Sequence, residues 1–168
     1  MKIAALFALT LSFAAPPASA QEAAPACPAL PTELAGWATR TPLAAATTPT
    51  GLSKALVKIG RRTDLALAPT GEVSFATTPN KVPAPGTHSG MAIFAIEAAG
   101  TYRVALGTSA WINIAHDGKF VSSTAHTHKL SCTGIRKMVD FALTPGNYVL
   151  QIEGGKDAVA GLLIARLP

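Results

Sequence analysis

Residues 109–132 read SAWINIAHDGKFVSSTAHTHKLSC, and their pattern decides the fold. Ala110–His116 alternates as a strand. Asp117-Gly118 follows, a dipeptide suited to the positive φ that a type I′ turn needs at both central positions. Lys119–Ala125 is then predicted to return as the second strand of a hairpin. The stretch also carries His116, His126 and His128 of the chain's four histidines, and Cys132 of its two cysteines.

The period of two extends outward in both directions. Upstream lie Met91–Glu97 (MAIFAIE) and Thr101–Leu106, joined by Ala98-Ala99-Gly100. Downstream, Met138–Thr144 turns at Pro145-Gly146 into a strand carrying Tyr148, Leu150 and Ile152. Gly154-Gly155 breaks that strand, and Gly161–Leu167 closes the chain. Earlier, Ala55–Gly60 alternates through Val57 and Ile59. Thr63–Ala68 and Glu72–Thr77 read as a hairpin around Pro69-Thr70-Gly71. Residues 79–90, PNKVPAPGTHSG, are a loop that holds His88. This makes about nine antiparallel strands at spacings near ten residues, with no amphipathic helix. The expected fold is all-β: a single β-sandwich or jelly-roll domain over residues 53–168. Residues 21–52 are rich in Ala, Pro and Thr and are expected to be irregular. Pro25, Pro28 and Pro31 forbid a long helix there, and Leu34 and Trp37 are its apolar anchors.

The segments AGTYRVAL (99–106), LTPGNYVLQIEG (143–154) and GLLIARL (161–167) resemble bacterial pre-peptidase C-terminal type β-sandwich domains. That resemblance covers the C-terminal half. It implies a fold and an accessory or ligand-binding role, and no chemistry.

The first twenty residues read as a secretory signal peptide. Lys2 is the positive end, Ile3–Ala15 is an apolar run too short to span a bilayer, and Ala18-Ser19-Ala20 is a small-residue cleavage pattern. Cleavage after Ala20 would leave a periplasmic or secreted chain beginning at Gln21. No later segment is long and apolar enough to predict a membrane span. The formal charge of +5 falls to +4 without Lys2, and the basic residues are scattered. That excludes the dense basic stripe of a nucleic-acid binder. In an exported chain two cysteines predict one disulfide, Cys27–Cys132. It would close a loop of about 105 residues, worth roughly 4–5 kcal/mol in the chain-entropy picture.

The histidines form the candidate site. Continuing the hairpin register puts His126 roughly 23 Å below His116 at ~3.3 Å per residue. His116 is therefore separated from His126 and His128, and His88 becomes their expected neighbour at the other end of the sandwich. His126 and His128 are two apart and project from one face of an extended segment. The predicted metal site is His88, His126 and His128, with Zn, Cu or Fe as the metal. Lys129, Arg136 and Lys137 offer an anion site at the same edge.

His126-Thr127-His128 also resembles the histidine pair of cupins, the family that includes homogentisate dioxygenase-like enzymes. The resemblance implies a metal-dependent dioxygenase whose ligand set is completed by a following Glu. Here no acid follows before Asp140. Other chemistries lack their motifs. There is no Gly-x-Ser-x-Gly elbow, no Gly-rich phosphate loop before a helix, and no identifiable pair of glycosidase carboxylates. Trp37 and Trp111 are possible sugar-stacking rings, but Trp111 lies inside an alternating strand and is expected in the core. The sequence thus reads as a non-enzymatic exported binding or accessory protein for a small ligand or metal ion. The alternatives are a cupin-like dioxygenase and a structural envelope-interaction protein.

Overall fold

The computed structural model describes residues 27 and 29–168. The predicted signal peptide and its cleavage after Ala20 lie outside the described residues. Among the described residues are eleven strands: β1 (Arg40–Ala44), β2 (Arg62–Ala66), β3 (Ala68–Pro69), β4 (His88–Ile96), β5 (Gly100–Leu106), β6 (Trp111–His116), β7 (Lys119–Phe120), β8 (Ser123–Leu130), β9 (Ile135–Leu143), β10 (Gly146–Gly155) and β11 (Val159–Arg166). They form an all-β sandwich of two sheets, ordered β1-β2-β11-β5-β9-β8 and β3-β4-β10-β6-β7.

Strand alternation fills the space between the sheets. Phe94, Ile114, Leu150 and Ile152 of the five-stranded sheet meet Val104, Leu106, Phe141, Leu162 and Ile164 of the six-stranded sheet. Burying each such side chain contributes about 1.5–3 kcal/mol. β11 is buried on both faces, because Leu163 and Ala165 point away from this core. A short 3-10 segment, Thr32–Ala38, covers them. Its Leu34 and Trp37 pack on Ala105, Ile135, Met138, Leu163 and Ala165. Trp37 Nε1 donates to the Thr133 carbonyl at 2.9 Å, and the Arg62 guanidinium lies 4.4 Å from the Trp37 ring centroid.

The N-terminal half departs from the expected pattern. Part of the expected irregular segment is β1, which pairs with β2 in parallel. Ala55–Gly60 makes only an isolated bridge, Leu56 to Ile93. The hairpin expected over 63–77 does not form. Val73 and Phe75 still pack against the core, but their backbone runs as a loop across the five-stranded sheet. Gln151 on β10 anchors that loop, its amide exchanging hydrogen bonds with the Thr77 backbone at 2.9 Å each way.

The central stretch also divides. Asp117 (φ 49°) and Gly118 (φ 73°) form the predicted turn, and His116 lies opposite Lys119. The return strand ends at Phe120, after only two residues. The chain then crosses to the other sheet and pairs as β8 with β9, so the predicted Lys119–Ala125 strand is broken between the sheets. The hairpin register therefore does not extend to His126.

Candidate binding site

The crossover determines where the predicted metal residues lie. His126 and His128 share the inward face of β8, an edge strand of the six-stranded sheet, opposite Val139 and Lys137. Their rings are 6.2 Å apart. His88 begins β4 in the other sheet, opposite Pro69 of the edge strand β3, and its buried Nδ1 has no hydrogen-bond partner. Strands β4 and β8 occupy different sheets, so no pairing joins His88 to the histidine pair. Among the described residues, no three His, Cys, Asp or Glu side chains are grouped to hold a metal ion. The donors do not fit the expected three-histidine centre or a cupin-like ligand set. His116 is separate, as the turn requires. Its Nδ1 is 2.9 Å from the Asn147 carbonyl and its ring stacks on Tyr148.

The anion residues are divided by the pleat of β9. Lys137 faces inward and Arg136 outward, while Lys129 is exposed near the β8–β9 turn. The predicted Cys27–Cys132 disulfide is not formed in this structure. Both residues are exposed free cysteines, and their thiols are neighbours. The hydrogen bond with Cys132 is the main reason the Cys27 thiol lies above its ordinary pKa, with desolvation and charge repulsion in the same direction.

Trp111 was expected in the core and is instead 62% exposed. Its phase along β6 explains this. Ile112 and Ile114 take the inward positions, which leaves Trp111 and Asn113 on the outer face. Cross-strand pairing sets Trp111 beside Glu153 and Asn113 beside Gln151. The 80–87 loop lies over these residues and encloses a groove of about 420 Å³, lined by Asn80, Val82, Thr87, Trp111, Asn113 and Glu153 among others.

Glu153 is the chemically distinctive group in this groove. It is only 5% exposed, and Asn113 Nδ2 and Gln151 Nε2 each donate to its Oε1 at 3.0 Å. Among the described residues nothing donates to Oε2. Oε2 is not shut off from solvent, since His88 Nδ1 is the one fully buried unpartnered side-chain atom among the described residues; a carboxylate oxygen left facing water can exchange that water for other donors. Glu153 lines the groove, so a ligand there can donate to its carboxylate.

A second groove, of about 410 Å³, opens at the lateral mouth of the sandwich. It exists because β7 is two residues long and leaves the inner face of β8 without a roof. Ile112, Val121, Val139 and Phe141 form its apolar surface, with His126, His128, Lys137 and Trp111 around them. Lys137 Nζ donates to the Ala110 carbonyl at 2.8 Å and lies 5.0 Å from the Trp111 ring centroid. Burial pushes the Lys137 pKa below its ordinary value. Trp111 thus forms the ridge between the two grooves.

No protein-family model and no curated protein sequence matches the chain. Sequence reasoning missed Glu153 and Asn113. Their signal was phase: the polar residues Asn113, Gln151 and Glu153 occupy the positions of Trp111's face. Among the described residues, no helix is long and apolar enough to cross a membrane.

Proposed function

We propose that this chain is an exported, non-catalytic binding module that takes a sugar ring in the groove between the 80–87 loop and strands β6 and β10. The observation that carries this reading is Glu153, a groove-lining acid held on its Oε1 by Asn113 and Gln151 while no described residue donates to Oε2, beside the exposed Trp111. A pyranose has an apolar C–H face that an indole ring can cover and hydroxyl groups that a carboxylate accepts. The groove volume falls in the usual range for small-molecule sites. Glu153 is the only acid lining this groove among the described residues, whereas glycoside hydrolysis uses a carboxyl pair. That favours binding over cleavage.

Calorimetric titration with soluble hexasaccharides of β-1,4-glucose, β-1,4-N-acetylglucosamine and α-1,4-glucose tests the reading. At least one is expected to bind with Kd below about 1 mM. Glu153→Gln should weaken it about tenfold by removing a charged hydrogen-bond acceptor, and Trp111→Ala should abolish it. If none of the three binds, or Glu153→Gln binds as wild type does, the sugar reading fails.

A further inference from the structure

The lateral groove carries a second site that does not depend on the sugar reading. Lys137 enters it from the inner face of β9, half-buried over an apolar floor. Among the described residues, one of its three ammonium donors has a protein acceptor, the Ala110 carbonyl. Among the described residues Lys137 makes no salt bridge, and no Asp or Glu lines the groove. A cation withdrawn from water without a counter-ion is costly to a fold. The strand register adds His128 directly opposite Lys137 and His126 opposite Val139. One ammonium and two imidazoles therefore gather over Val139 and Phe141. The ammonium opposite His128 would repel a divalent cation in the same place and attract an anion.

We infer that this groove binds an organic carboxylate with an aromatic or branched apolar body. The carboxylate accepts from Lys137 Nζ and the His128 ring, and the body lies on Val139 and Phe141. The cation positions the ligand and the apolar floor supplies the burial. No covalent step is involved.

The test uses 2-naphthoate and its neutral counterpart 2-naphthylmethanol, titrated calorimetrically into the full mature chain. Naphthoate is expected to bind saturably with Kd below about 1 mM, at least about tenfold tighter than the alcohol. Lys137→Met should remove that preference, Lys137→Arg should keep it, and Lys119→Met, exposed at the start of β7, should leave it unchanged. The wild-type preference for the acid tests the inference even if Lys137→Met fails to fold. Equal affinities for acid and alcohol, an acid affinity that survives Lys137→Met in folded protein, or no saturable binding up to about 10 mM would each overturn it.

Discussion

At the scale of single residues, Lys137 leaves a measurable trace even without a ligand. Burial lowers its pKa from the ordinary 10.5, so between the lowered value and 10.5 the unfolded chain binds more protons than the native one at this residue. Its contribution to stability therefore rises with pH across that window, and below the window the charged form is a standing cost of folding. The expected outcome is a shallower rise in the alkaline range for Lys137→Met than for wild type, measured by urea unfolding at several pH values. Identical slopes would mean that the side chain is as well hydrated in the native state as in the unfolded chain. Arg103 is a contrasting case. Asp140 accepts from its Nε and Nη2 at 2.8 Å each, and Glu33 lies 3.3 Å from Nη1. The hydrogen bond to Asp140 raises the Arg103 pKa, so the guanidinium is charged and satisfied throughout the working pH range. Asp140→Asn should cost about 1–2 kcal/mol in chemical denaturation, since it removes the charged bidentate partner of a half-buried cation but leaves the Glu33 pair in place.

At the scale of elements, the turn between β6 and β7 sets up the lateral groove. Gly118 has φ 73°, and a Cβ there would meet no atom within 4 Å. The cost of Gly118→Ala is then that of the backbone conformation alone, about 1–2 kcal/mol by equilibrium unfolding. A much smaller loss would show that the turn relaxes to another type. The 3-10 segment Thr32–Ala38 is held differently, by side chains on the outer face of a sheet. Leu34 is fully buried there, and Leu34→Ala should cost about 3 kcal/mol. Exchange of the Trp37 indole N–H, bonded to Thr133, should quicken with it. An unchanged exchange rate would show that Trp37 holds the segment alone.

At the scale of the whole molecule, the N-terminal segment and the β8–β9 turn meet through Cys27 and Cys132. Their thiols are neighbours across about 105 residues of chain, a span over which a crosslink is worth up to about 4–5 kcal/mol in the entropic picture. In an oxidising compartment, exchange with a disulfide oxidant would take two electrons and two protons from the pair and join the sulfurs. Protein exposed to a disulfide oxidant is therefore expected to lose about two mass units relative to its reduced form, and to melt lower after reduction or in Cys132→Ser. Free thiols remaining after exposure to such an oxidant, by mass spectrometry after alkylation, would count against the bridge.

Much of the framework was legible locally. The alternation of Ile112 and Ile114, or of Leu150 and Ile152, is a property of adjacent residues, and so is the left-handed preference of Asp117-Gly118. β-Strands, turn and two-layer class follow from such short-range chemistry together with the need to bury one face of each strand. The phase of WINIAH even held the exposure of Trp111, although an aromatic residue in a strand reads as core until its partners are counted. Which sheet a strand joins is a different kind of choice. Residues 123–130 could meet the same backbone hydrogen-bonding needs on either edge, and in this structure they pair with β9 instead of continuing beside β6. That non-local pairing parted His88 from His126 and His128 and set Lys137 against an unroofed apolar face, while the separate pairing of β6 with β10 set Glu153 beside Trp111. The sequence by itself determined the all-β class and most strands of the C-terminal half, because side-chain alternation is local. Only the tertiary structure decided the sites, because they are made by edges that meet after distant strands have chosen their partners.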